Sequence, residues 1–197
     1  MSYKDLKASD KPADPRVQRT HKLIEQAFIE LIRERGFQSI TIHDITGRAT
    51  LNRATFYAHF EDKYDLLDHF IRAQFHEALL TKIPGSPEYT HQRLILLIVT
   101  VIEFVLTIQA HCGPADRQIE AMFETAVQEE LYLYLADWMN HAPQAMIPPD
   151  VPPQTAASVW SWAIFGTAIQ TARTESNQTA SQIASQIAQM LVGAHKC

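Results

Sequence analysis

Glycine and cysteine are scarce in this 197-residue chain, with six of the first and two of the second. Cys112 and Cys197 are too few for a secreted disulfide framework and do not have metal-ligand spacing, so both are read as reduced thiols. No run alternates apolar and polar residues over a convincing strand length, which argues against a β fold. The chain has no HExxH, no phosphate-binding glycine-rich loop and no nucleophile elbow. His111-Cys112 is a neighbour pair without an identifiable third partner, so a helical enzyme is disfavoured. Its longest apolar run falls short of the roughly 20 residues that span a bilayer. Residues 1–15 are polar, carry prolines and aspartates, and lack the apolar segment of a signal peptide. These absences lead to the expectation of a cytoplasmic protein with a flexible amino-terminal arm and with no membrane segment, metal or cofactor.

Hydrophobic residues make up 46% of the chain, and they recur with the 3.6-residue period of helices. The fold class expected is all-α. The net charge of −5 conceals an asymmetry: residues 1–63 carry eleven Lys and Arg against nine Asp and Glu, while residues 64–197 carry six against thirteen. A mildly positive head on an acidic body suits a protein that meets phosphate with one end only.

Arg16 to Arg35 forms one amphipathic stripe, and Gly36 stands where a left-handed C-cap is needed. Arg16, Arg19, Thr20 and Lys22 crowd the start of that helix, against the preference of the helix dipole for negative charge there. Thr41 and Asp44 have capping-box spacing, which predicts a second helix starting near Ile42 with Ile45 and Ala49 inward. Asn52 can cap a third, short helix whose Phe56 and Phe60 point to the core and whose Arg53, Thr55, Tyr57 and His59 point out. Two short helices joined by a tight turn, with a polar outer edge on the second, are the sequence form of a helix-turn-helix. Asp62 and Asp65 then start a connecting helix through Leu79.

The order Thr41, Asp44-Ile45, Ala49, Thr55-Phe56-Tyr57, His59-Phe60, Lys63 and Leu66-Leu67 resembles the amino-terminal domain of the TetR family of bacterial transcriptional regulators. Upstream, Thr20, Ile24, Ala27, Phe28, Leu31 and Gly36-Phe37 resemble the family's first helix and its exit. The likeness covers roughly residues 16–70. Two positions depart from it: the family commonly has glycine where Thr50 stands and a small residue, often glycine, at Ala54. A β-branched residue is costly at positive φ, so the turn is expected to use a backbone that threonine tolerates.

The rest of the chain reads as a helical body. Pro84-Gly85-Ser86-Pro87 separates it from the connecting helix, and Arg93 to Gln109 is apolar nearly all round apart from Glu103. Glu103 is expected to pair with Arg93, Arg117 or Arg173, to meet a ligand, or simply to be exposed. Ala115 to Val127 and Gln128 to Asn140 give further helix, Pro143, Pro148-Pro149 and Pro152-Pro153 a stiff connection, and residues 151–172 and 180–191 two last helices. His69 and His76 lie two turns apart on one helix and cannot share a metal ion.

The domain organisation expected is an arm over 1–15, a three-helix DNA-binding head over 16–63, and an effector-binding and dimerisation body over 64–197 that includes the connecting helix. The resemblance implies a homodimer, joined through its last two helices, that reads a palindromic double-stranded DNA operator, represses, and is released by a small-molecule effector. An effector-independent DNA-binding accessory factor is the alternative. Asn52, Arg53, Ala54 and Thr55 would face the major groove. Arg19, Thr20, Thr41, Tyr57, His59 and Lys63 would meet the backbone. Glu103, Phe104, Met122, Phe123, Trp138 and Met139 are the residues expected around the effector.

Overall fold

The computed structural model describes residues 15–84, 89–112, 117–141, 147, 150–174 and 177–193. Residues 1–14 of the arm expected over 1–15 and most of the proline-rich connections lie outside them, while Pro15 begins the first helix. Among the described residues the chain is all helical: α1 (Pro15–Arg35), a 3-10 turn (Phe37–Ser39), α2 (Ile42–Ala49), α3 (Arg53–Tyr57), α4 (Lys63–Lys82), α5 (His91–Cys112), α6 (Arg117–Asn140), α7 (Pro153–Arg173) and α8 (Ala180–Gly193). Two compact units divide it, one ending at Ile71 and the other running from Arg72, so that α4 contributes its first half to one and its second half to the other.

The head is built around α1, whose Ile24, Ala27, Phe28 and Leu31 are buried. A helix of eight residues such as α2 is marginal alone. It is held by Ile45 and Ala49, which it buries toward α1, and by its cap. Thr41 Oγ1 accepts from the Asp44 amide at 3.2 Å, and Asp44 Oδ2 accepts from the Thr41 amide at 2.9 Å. Helix α2 therefore starts at Ile42, where the capping box places it. Phe56 and Phe60, 5.7 Å apart between ring centroids, fill the space beneath α3.

Two backbone expectations are corrected. Gly36 has φ 72° but ψ 155°, an extended rather than left-handed α conformation that is open essentially to glycine alone. Thr50 takes the left-handed α conformation, φ 56° and ψ 43°, that its β-branch makes costly. The turn leaves it no alternative: the Thr50 amide donates to Gly47 O at 3.3 Å and the Leu51 amide to Thr46 O at 2.9 Å, closing α2.

In the body, α5 buries Leu94, Leu97, Ile98, Val101, Ile102 and Val105 and packs on α7 and α8. It extends two residues earlier and three later than the sequence suggests. Its stretch His91–Ile108 is long and apolar enough, by length and composition alone, to cross a membrane, which corrects the expectation that it falls short. Its exposed edge carries Leu96 and Leu106, so it is not buried all round. The two helical pieces expected between 115 and 140 are a single helix, α6, which packs most extensively on α7. Pro152 caps α7 with an extended backbone, and Pro153 occupies the first turn, where its missing amide costs nothing.

Candidate nucleic-acid interface and effector cavity

Asn52 caps α3 by accepting from the Thr55 amide at 2.7 Å and from the Thr55 hydroxyl at 3.0 Å. This fixes the start of the helix and leaves Arg53 and Ala54 exposed in its first turn. Tyr57, one turn on, is 56% exposed, high for an aromatic ring, and its ring stands edge-on against Phe56 at 5.7 Å. Phe56 and Phe60 face inward, so the exposed edge of α3 is Asn52, Arg53, Ala54, Tyr57 and Ala58. Thr41, the cap of α2, is exposed as well, while Thr55 and His59 are half-buried.

The cations of the head divide into inward and outward sets. Arg48 is bound by the carboxylate of Glu34 at 2.9 and 2.8 Å and by Glu30 at 3.1 Å, which straps α2 to α1. Hydrogen bonds from Gln26 and Arg48 hold the Glu30 carboxyl below the usual carboxylate range, and Arg48 does the same for Glu34. Lys63 is turned inward. Its Nζ donates to Phe37 O at 3.3 Å, Gln38 O at 3.3 Å and Ile40 O at 3.0 Å, and lies 4.6 Å from the centre of the Phe37 ring. Arg19, Lys22 and Arg53 are exposed, and the Thr20 hydroxyl donates to Arg16 O at 2.9 Å, within α1.

A helix-turn-helix with a capped, solvent-facing second helix matches known bacterial regulators. Residues 24–70 fit the family model described as bacterial regulatory proteins, tetR family. That segment, about a quarter of the chain, is similar to the amino-terminal domain of the family's regulators. An uncharacterized HTH-type transcriptional regulator of Bacillus subtilis, YxbF, is 39% identical over 64 residues, 32% of this chain and 17% of that one. The HTH-type dhaKLM operon transcriptional activator DhaS of Lactococcus lactis is 29% identical over 84 residues, 43% of each chain. The likeness thus spans less than half the length of either curated relative. Among solved structures, a TetR-family regulator from Streptomyces coelicolor superposes with a TM-score of 0.60 at 15% identity, over 95% of this chain and all of that one. A TetR transcriptional regulator from Streptococcus agalactiae gives 0.54 at 20% identity, over 90% and 96%. At 20% identity or below, these likenesses show the fold alone, over 90–95% of this chain.

The six residues expected around an effector do not meet in one place. Glu103 and Phe104 line an open cavity of about 360 Å³ together with Ala78, Lys82, Thr100, Leu106 and Thr107. Glu103 forms an ion pair with Lys82 rather than with Arg93 or Arg173, and its side chain is 45% exposed. Arg173 instead binds Glu120 at 2.6 Å and Glu124 at 3.0 Å. Phe104 packs on Phe75 at 5.0 Å and stacks on Phe123 at 6.1 Å, which places Phe123 behind the cavity wall. Met122, its half-buried neighbour on α6, is not among the lining residues. Trp138 and Met139 are buried far from it, since fifteen residues of α6 beyond Phe123 are about 22 Å of helical rise.

At that far end Trp138 packs on Tyr89 at 5.5 Å and Tyr134 at 6.2 Å, and its indole Nε1 finds no acceptor among the described residues. Burial pushes the Tyr134 hydroxyl up, opposed by its hydrogen bond with Arg93. Sequence reasoning missed Lys82. Its only signal there was a cation in the last turn of α4, and its partner lies on the next helix.

Proposed function

We propose that this chain is a repressor that binds a palindromic operator as a homodimer and is released by a small molecule bound in its body. The observation that carries the DNA-reading part is the exposed Arg53, Ala54 and Tyr57 edge on a helix fixed by the Asn52 cap. Arg53 and the Asn52 amide face base edges; Tyr57, Thr41 and Arg19 hold phosphates. Thr55, His59 and Thr20 support this set from half-buried positions. Lys63, with three carbonyl partners, is assigned to the scaffold of the head and not to phosphate.

The body supplies the dimer. Val159 and Trp162 on α7 are each 59% exposed, and Met190 on α8 is 77% exposed. Large apolar groups left in solvent on two neighbouring helices support a two-fold interface built from α7 and α8. The effector site is assigned to the cavity beside Lys82, Glu103 and Phe104. Its wall includes Ala78 and Lys82 of α4, the helix that both units share, so a ligand that displaces the Lys82–Glu103 pair acts on an element continuous with the head. Release from DNA then requires only that the ligand bind one arrangement of α4 better than the other. The protein is assigned to the cytoplasm, where its DNA is.

The DhaS relative is an activator, which favours as a second reading that the same contacts recruit transcription. Selection of duplexes from a random pool, followed by a reporter with the selected site upstream of a promoter, tests both. A two-fold symmetric site that lowers reporter output supports repression; raised output supports activation. An asymmetric or unselected pool contradicts the dimeric reading.

A further inference from the structure

The head also brings together three side chains that the sequence keeps apart. His21 and Glu25 sit at i and i+4 on one face of α1, and His69 comes to them from α4. Their nearest donor atoms, one imidazole nitrogen each from His21 and His69 and one carboxylate oxygen of Glu25, all lie within 4.8 Å of one another. Glu25 Oε1 is 3.6 Å from His69 Nε2, and the rings of His21 and His69 meet edge-on at 5.5 Å. Phe60 walls one side, 5.0 Å from His21 and 5.6 Å from His69, and His59 abuts His21 at 4.7 Å.

We propose that His21, Glu25 and His69 form a site for a divalent transition-metal ion of the Zn²⁺ kind. The two imidazoles are borderline donors and the carboxylate is a hard one. They suit Zn²⁺, Co²⁺, Ni²⁺ or Cu²⁺ better than Mg²⁺ or Ca²⁺, which take oxygen ligands. Three protein ligands leave a fourth position for water, as in open zinc sites. Metal–nitrogen bonds of about 2.0–2.1 Å require the donors to close to roughly 3.3 Å of one another. That closure falls to the Glu25 and His69 side chains, which are 27% and 48% exposed and able to rotate. A helix that presents two ligands one turn apart has already fixed half the chelate, so binding orders mainly His69. The bound ion would fasten α1 to the first half of α4, inside the unit that carries α3. The site does not depend on how the protein reads DNA.

The competing reading is an ordinary ion pair between Glu25 and His69, and calorimetric titration of the chelator-treated full-length protein with Zn²⁺ separates the two. Glu25→Gln and His69→Gln serve as variants, because both side chains are partly exposed and their replacement leaves the core intact; unchanged far-ultraviolet circular dichroism checks this. The proposal expects saturable binding by the wild type that both variants weaken by more than about tenfold, the scale already seen for outer-shell partners of a metal. It also expects Zn²⁺ to raise the thermal transition of the wild type and not of the variants. Absence of saturable binding, or equal affinity of wild type and both variants, overturns it.

Discussion

The ammonium of Lys63, in the first turn of α4, donates to the carbonyl of Ile40 at 3.0 Å and so closes the chain segment between α1 and α2 onto the helix that leaves the head. Two more carbonyls of that segment share the same Nζ. Replacing Lys63 by Met leaves these acceptors, those of Phe37 and Ile40 part-buried, without their charged donor, and a hydrogen bond to a charged group is worth about 1.5–3 kcal/mol. Urea unfolding of Lys63→Met should therefore show a lower midpoint. The salt dependence of DNA binding should keep its slope, because no phosphate contact is removed. A slope reduced by about one, with unchanged stability, would move Lys63 to the DNA side.

Thr50→Gly should stabilise the head. The left-handed conformation costs an L-residue about 1–2 kcal/mol. Glycine returns about 0.5–1 kcal/mol of that through its freer unfolded chain. A net gain of roughly 0.5–1 kcal/mol is expected in denaturant unfolding. A loss would mean that the threonine side chain has a contact worth more than its backbone strain.

The Asp44 carboxyl is held below the ordinary aspartate value, chiefly by hydrogen bonds from the Thr41 hydroxyl and amide. A carboxyl depressed on folding contributes stability that is present above its unfolded pKa and is lost as pH falls through the folded one. Thermal unfolding followed from pH 7 downward should thus show an acid limb below the ordinary aspartate pKa of about 3.9 that Asp44→Asn flattens. An identical limb in the variant would remove Asp44 from the account.

Lys82→Met and Phe104→Ala should each abolish or strongly weaken release from DNA by an inducer, while Trp138→Ala, some 22 Å along α6 from Phe123, should leave the response in place unless its fold fails. Release titrations on all three, with unfolding curves beside them, check this. A response lost only in a stably folded Trp138→Ala would put the effector at the Tyr89, Tyr134 and Arg93 end instead.

Trp162→Glu on α7 or Met190→Glu on α8 should shift sedimentation toward the monomer, since each puts a charge into the apolar face assigned to the two-fold interface. Far-ultraviolet circular dichroism should not change, because both side chains are exposed in the single chain.

Local chemistry was legible in the sequence, and long-range partnership was not. Thr41 and Asp44, or Asn52 and Thr55, are three residues apart, and the spacing that identifies a cap is the geometry that makes it. The buried faces of α1, α5, α7 and α8 followed from helical period. Glu103 with Lys82, Lys63 with Ile40 and Arg48 with Glu34 join different elements, and nothing in a one-dimensional pattern distinguishes their true partner from several others. Thr50 was misread for a related reason. Its propensity opposes the left-handed turn, and the two backbone hydrogen bonds that impose it belong to the end of α2 as a whole. Of the residues expected around an effector, composition found aromatic and methionine side chains but not that the length of α6 separates Phe123, on which Phe104 stacks, from Trp138.

The central claim is that α3 reads DNA, and fluorescence anisotropy of the purified protein on a selected duplex, across a salt series and against a scrambled competitor, tests it most directly. The account predicts tight, sequence-selective and salt-sensitive binding. Arg53→Ala should weaken it by about 1–3 kcal/mol and relax the base preference at one position of each half-site, whereas Tyr57→Phe should weaken all sequences alike. Equal affinity for the scrambled duplex, or an Arg53→Ala variant that binds and discriminates as well as the wild type, would contradict it.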